Sequence, residues 1–218
     1  MNTNDMILII VCASGKSTRF NANKLLHPLE DGKPLLLITL ENILAGMTLA
    51  AQEGIPAKCM VIVPPASELS SELEQLSYFK EGAGETIELS VMDPPSQGLG
   101  ETIAFAVKDS PNALGWMVCL GDMPRIEPEI ILQMCQSVMS ENSIVMPFVD
   151  GKRGHPVYFP QGYYYDLAEL QGDQGAASVI KSASLDEHGK GIKKLHVTTR
   201  SILEDIDTQE DLARYLRN

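Results

Sequence analysis

The chain has 218 residues, 44% hydrophobic and 21% charged, which suits one α/β domain with a core of its own. A formal net charge of -12 argues against a general binder of nucleic acid or of anionic membranes. The four cysteines, Cys12, Cys59, Cys119 and Cys135, form no C-x-x-C pair, and the longest uninterrupted apolar run, Met6 to Ala13, is too short to span a bilayer. Buried thiols in a reducing, cytoplasmic setting are expected.

Met6 to Ala13 is apolar on both faces and rich in β-branched residues, which predicts a buried parallel strand. A polar loop, Ser14 to Asn23, follows it. Pro34 then opens a helical pattern over Leu35 to Glu53 that stops at Gly54. Met60 to Val63 reads as a strand, Ser67 to Glu81 as an exposed helix and Ile87 to Met92 as a strand. A loop over Asp93 to Gly100 leads to a helix over Glu101 to Val107. Trp116 to Leu120 is a further buried strand that ends at Gly121-Asp122. Pro128 opens a helix to about Met139, and Ser143 to Met146 is a fifth strand. Past residue 150 the pattern loosens, with strands expected at Pro156 to Phe159 and Ile192 to Val197. Helices are expected at Gln174 to Lys181 and Thr208 to Arg217. Alternating strands and helices predict a mainly parallel sheet covered on both faces. Ligands of such sheets gather at the carboxyl ends of the strands, where segments 14–24, 93–101 and 121–125 fall.

Charge is uneven within this acidic chain. No acid lies between Asp5 and Glu30, where Lys16, Arg19 and Lys24 stand, nor between Asp150 and Asp166, where Lys152, Arg153 and His155 stand. Two basic islands suit small anions. In the first, Cys12, Ala13, Ser14, Gly15, Lys16 and Ser17 are mostly small residues whose backbone N–H groups can approach a polyphosphate. The Arg19 fork and the Lys24 point charge add cations. Gly15-Lys16-Ser17 resembles the end of a P-loop, but the glycine that motif needs five residues earlier is Ile10. A P-loop phosphotransferase is therefore the second enzyme reading. Asp122, in Gly121-Asp122-Met123-Pro124, brings a hard oxygen ligand to a strand end, as Mg2+ between phosphates requires. In Glu204 to Leu212, Thr208 with Asp211 matches a capping box, which makes Asp207 and Thr208 helix-start residues and leaves Asp205 as the better second metal ligand. The choice between Asp205 and Asp207 stays open.

Taken in order, these segments resemble the molybdenum cofactor nucleotidyltransferases, especially the cytidylyltransferase branch of this MobA-like NTP transferase group. The pattern L-A-A-G-x-S-x-R-x-G-x-x-K becomes Cys12-Ala-Ser-Gly-Lys-Ser-Thr-Arg-Phe-Asn-Ala-Asn-Lys24 here. Leu25-Leu26, Pro28-Leu29, Pro95 to Gly100, Gly121 to Pro124, Gly151 to Val157, Gly172 to Ala176 and Asp205 to Thr208 continue the match. Ser14 and Asn21 depart from it. Asn tolerates positive φ, while serine at position 14 fits neither the cytidylyl nor the guanylyl branch and leaves the base open.

The resemblance implies a three-layer α/β/α sandwich, Rossmann-like, of the nucleotide-sugar-transferase type. It implies one domain over 1–218, with a nucleotide-binding half to about 125 and an acceptor-binding half after it. The implied reaction is Mg2+-dependent transfer of CMP from CTP to a molybdopterin acceptor with loss of pyrophosphate. The product's recipient would be a molybdenum-containing enzyme. Implied roles are catalysis for Lys24, Arg19 and Asp122, and nucleotide binding for residues 12–17, Arg19, Lys24, Gln97, Gly98 and Gly100. Lys152, Arg153, His155 and Asp173 would meet the acceptor, and Asp122 with Asp205 the metal. GTP or another phosphorylated acceptor is the near alternative. A non-catalytic nucleotide- or cofactor-binding module is the alternative of another class.

Overall fold

The computed structural model describes residues 6–15, 24–29, 32–65, 67–75, 87–138, 142–185 and 191–217. Eight strands form one sheet: β1 Ile7–Cys12, β2 Ala57–Val63, β3 Ile87–Val91, β4 Gly115–Leu120, β5 Ile144–Val149, β6 Lys152–Arg153, β7 Val157–Pro160 and β8 Ile192–His196. Their order is β3-β2-β1-β4-β7-β5-β6, with β8 also paired to β5. The pairs β1–β2, β1–β4, β2–β3 and β5–β8 are parallel, while β7 runs antiparallel to both β4 and β5.

Among the described residues seven α-helices cover the sheet: α1 Leu35–Gln52, α2 Glu68–Gln75, α3 Leu99–Asp109, α4 Pro128–Val138, α5 Tyr164–Ala168, α6 Ala177–Ser184 and α7 Gln209–Tyr215. The two-faced apolarity of β1 decides the layering. Ile7, Ile9 and Val11 pack in one cluster with Leu36, Leu40 and Ile43 of α1 and Ile131 of α4. Leu8 and Ile10 face the other way, into a cluster with Ile103 of α3, Leu167 of α5 and Val179 of α6. Each such fully buried aliphatic side chain contributes about 1.5–3 kcal/mol relative to exposure. The result is the expected three-layer α/β/α sandwich. α1 is apolar and long enough by composition to cross a bilayer, yet Leu35, Leu36 and Ile43 are 0% exposed against the sheet and α4. Gly46 lets the two helices close, because a Cβ there would stand 2.5 Å from Ile131 and from the Pro128 carbonyl.

Register places the loops. Cys12 pairs with Leu120 across β1–β4 and with Ile62 across β1–β2, so these strands end flush. The turns after β1 and β4 therefore start side by side. Val157, the first residue of β7, pairs with Val118, so the His155-Pro156 approach to β7 reaches the same edge; that peptide bond is cis.

Most elements fall where the sequence puts them, with shifted ends. α2 is described over Glu68–Gln75, and the rest of the expected helix, 76–81, lies outside the described residues. α6 starts at Ala177, later than expected, because Gly172 and Gly175 hold φ of 66° and 56° and break the helix before it. The short strand β6 was not anticipated. Asp150 and Gly151, at φ 51° and 75°, make a tight turn that folds Lys152–Arg153 back on β5.

Candidate functional site

A cleft of about 300 Å³ opens at the flush strand ends, lined by Cys12, Gly15, Lys24, Leu25, Leu99, Thr102, Leu120, Asp122, Asp205 and Asp207. Three distant stretches meet there. β4 delivers Asp122 through the turn at Gly121, whose N–H donates to the Cys12 carbonyl at 3.1 Å. A Cβ on Gly121 would stand 3.0 Å from that carbonyl and from Leu36. The glycine thus admits the neighbouring chain.

Lys24 opens a 3-10 turn, Lys24–Leu26, anchored by buried Leu25. Its Nζ donates to Asp122 Oδ2 at 2.7 Å and to Asp207 Oδ1 at 2.9 Å, and its side chain is only 10% exposed. Burial pulls the ammonium's pKa down, but the charge of Asp122 and the hydrogen bonds to Asp122 and Asp207 outweigh it, so the net shift is upward.

The third stretch is 204–207, between the 3-10 turn Ser201–Leu203 and α7. The Ile206 N–H donates to the Asp122 carbonyl at 2.9 Å, and the Ile206 side chain enters the core at 3% exposure. On an extended segment, alternate side chains share a side. Asp205 and Asp207 therefore both face Asp122, and carboxylate oxygens of all three lie within 4.8 Å of one another. Burial raises the Asp205 pKa, and the charges of Asp122 and Asp207 raise it further, against Lys24. Asp122 Oδ1 is buried with no hydrogen-bond partner among the described residues. A hard divalent cation fits this donor set: it takes carboxylate oxygens and would satisfy the orphaned atom. The sequence reading of Asp207 as a helix-start residue needs correction. Thr208 is the N-cap, bonded to Asp211 in a full capping box, and Asp207 is turned into the cleft.

The loop after β1 is described through Gly15; Lys16, Ser17 and Arg19 lie outside the described residues. Cys12 lines the cleft with a thiol pushed up to about 12, by burial and then by Asp122, so it stays protonated. Ala13 is buried, its N–H donating to the Ile62 carbonyl at 3.0 Å. Gly15 is exposed, and a Cβ on it would meet nothing within 4 Å among the described residues. Ser14, 3% exposed, bonds Thr102 Oγ1 at 2.6 Å. Thr102 donates onward to Ser96 Oγ at 2.9 Å, and Ser96 to the Gly98 carbonyl at 2.5 Å. A buried chain of three hydroxyls thus ties the β1 loop to the loop before α3. No sequence signal marks Thr102.

On that second loop, Gln97 is exposed and its N–H donates to Glu101 at 2.9 Å. Gly98 and Gly100 face the backbone of Gln171–Asp173: a Cβ on Gly98 would stand 2.4 Å from the Gly172 carbonyl oxygen, and the Gly100 N–H donates to it at 2.9 Å. Asp173 itself is exposed. Lys152 and Arg153 are exposed on β6. Arg153 and His155 line a pocket of about 130 Å³, which shares Leu99 with the cleft. The His155 backbone N–H donates to the Ile202 carbonyl at 2.9 Å, and the imidazole Nδ1 is buried without a partner among the described residues. Burial lowers the His155 pKa; a hydrogen bond to the Val118 backbone and the charge of Asp205 oppose this, while Arg153 reinforces it. The structure thus brings Lys24, Asp122, Asp205 and Asp207 together and sets Arg153 and His155 in the adjoining pocket.

The pattern of the MobA-like NTP transferase domain matches residues 9–189. Among solved structures, a nucleotidyl transferase from Methanothermobacter thermautotrophicus superposes with a TM-score of 0.73 at 18% identity, over 98% of this chain and 97% of that one. Rv0371c from Mycobacterium tuberculosis H37Rv gives 0.72 at 22% identity, over 98% of each chain. The same mycobacterial protein in complex with manganese gives 0.67 at 20%, again over 98% of each. No protein of curated function matches by sequence.

Proposed function

Because the chain belongs to the MobA-like NTP transferase domain family, we propose that it is a cytoplasmic nucleotidyltransferase that moves CMP from CTP to the terminal phosphate of a molybdopterin acceptor and releases pyrophosphate. The convergence of Lys24 with Asp122, Asp205 and Asp207 at the ends of β1 and β4 carries this reading. The base, the acceptor and the molybdenum-containing enzyme downstream come from the resemblance of the whole motif series, the 151–157 segment above all.

An acceptor phosphate is already ionised near neutral pH and needs no strong general base. Catalysis then rests on positioning and charge stabilisation. Backbone N–H groups of residues 14–17 cradle the triphosphate, Arg19 holds the departing pyrophosphate, and Lys24 stabilises charge around the α-phosphate. Asp122 and Asp205, with Asp207, are the residues that would hold Mg2+, which when bound neutralises charge on the phosphate oxygens. Gln97, Gly98 and Gly100 border the base and ribose. Lys152, Arg153, His155 and Asp173 meet the acceptor, so the chain works as one domain with a nucleotide half to about residue 125 and an acceptor half beyond it. The protonated Cys12 thiol takes no covalent part.

The test offers CTP, GTP, ATP and UTP in turn, with Mg2+ and molybdopterin, and assays pyrophosphate. Release with CTP that Asp122→Asn abolishes in a folded variant supports the proposal. Release with GTP alone moves the reading to the guanylyl branch. A nucleoside diphosphate product restores the phosphotransferase reading, and nucleotide binding without turnover restores the binding module.

A further inference from the structure

The ion cluster holds a cation of the protein's own. Lys24 Nζ stands 2.7 Å from Asp122 Oδ2 and 2.9 Å from Asp207 Oδ1, two of the three carboxylates whose oxygens gather within 4.8 Å. Mg2+ or Mn2+ draws its oxygen ligands to about 2.0–2.2 Å, so it competes for the same lone pairs and repels an ammonium already seated on them. Among the described residues the carboxylates of Asp122, Asp205 and Asp207 gather around the Lys24 ammonium, and Asp122 Oδ1 has no hydrogen-bond partner there.

We propose that Lys24 is the resident counter-ion of this cluster, that its ammonium and a divalent ion exclude each other, and that arrival of the ion frees Lys24 to turn toward the nucleotide's phosphates. The inference rests on the ion site proposed above. The side chain has the means to move. Its four-carbon stem is flexible, it starts a 3-10 turn anchored by buried Leu25, and it lines the same cleft as Gly15. One lysine thus has two stations, carboxylates before loading and phosphates after. The ion alone must bind against a seated cation, while a triphosphate offers the displaced ammonium a new anionic partner. Ion and nucleotide are then coupled through a single side chain, and each improves the other's affinity.

The probe is Mn2+ without nucleotide, its free concentration read by electron paramagnetic resonance, on the full chain and on Lys24→Met. Exclusion predicts that Lys24→Met binds Mn2+ more tightly, by about tenfold or more, because no ammonium has to be displaced. Equal or weaker affinity overturns the proposal. Circular dichroism first shows whether the variant is folded. A second measurement keeps Lys24 in place: the rate at which an amine-reactive reagent labels it, followed by peptide mass spectrometry. Mn2+ should speed labelling several-fold, and Asp122→Asn should remove that response; labelling that Mn2+ leaves unchanged or slows overturns the proposal. If Mn2+ binds neither protein, the exclusion and the ion site fall together, while nucleotidyl transfer is judged separately by pyrophosphate release. If Mn2+ binds both alike, only the exclusion falls.

Discussion

Replacing Gly98 by alanine should loosen the joint between the two halves of the site. The backbone at Gly98 is extended, with φ 176° and ψ 175°, which alanine adopts without strain. The difficulty is room. The new Cβ would stand 2.4 Å from the Gly172 carbonyl oxygen and 2.5 Å from both N and Cα of Asp173, where ordinary contact begins at 3.4 Å. All three neighbours are backbone, so no side chain can swing aside, and segment 171–173 has to retreat by roughly 1 Å. Retreat stretches the 2.9 Å hydrogen bond from the Gly100 N–H to the same carbonyl. Overpacking costs about 1–3 kcal/mol and a lost backbone hydrogen bond about 0.5–1.5 kcal/mol. Together a destabilisation of about 2–4 kcal/mol is expected. Urea unfolding measures it as a lower midpoint at unchanged slope. Gly15→Ala is the matched control: among the described residues nothing lies within 4 Å of its new Cβ. It should stay within about 0.5 kcal/mol of wild type while its methyl, at the cleft lining, weakens nucleotide affinity. If Gly98→Ala is as stable as Gly15→Ala, the proposed clamp between residues 98–100 and 171–173 is refuted.

Asp205→Asn should raise the melting temperature of the ion-free protein, since the native carboxyl is disfavoured by burial and by two neighbouring acids. The same variant should show a smaller melting shift on addition of Mn2+; a larger one would remove Asp205 from the ion site. His155 has a native pKa below its ordinary 6.5. The unfolded chain therefore binds the proton first, so its contribution to stability is complete above pH 6.5 and falls as pH drops toward the native value, by at most about 1.4 kcal/mol per pH unit. His155→Gln should flatten thermal stability between pH 6.5 and 5; an unaltered slope would contradict a buried, neutral imidazole.

The sheet was legible because its strands carry their burial in their composition. β1 is apolar on both faces and sits in the middle of the order, and the loops after β1 and β4 could be placed at one edge from that fact alone. Of the candidate site, the sequence singled out Lys24 and Asp122 by residue type and position at strand ends, and the structure brings these two within 2.7 Å. The site was obscured where pairing depends on a distant partner. Asp207 lies beside a true capping box, and only the burial of Ile206, which turns the residues on either side toward Asp122, reveals that it faces the cleft. Ser14 looked like a base-reading residue because it interrupts a motif, yet its hydroxyl goes to Thr102, 88 positions away. Gly98 and Gly100 suggested space beside a nucleotide, whereas each has its Cβ position filled by the 171–173 backbone.

The Ser14–Thr102–Ser96 relay consists of neutral hydroxyls, each passing one hydrogen in the same direction to end on a carbonyl. Neither acid nor salt can switch such a tether, because no member ionises and no counter-ion competes for it. The wall of the cleft that it braces keeps its shape over conditions in which the carboxylate floor changes occupant. A rigid bracket beside a charge-responsive floor lets the floor exchange cations while the distance between the two loops stays fixed.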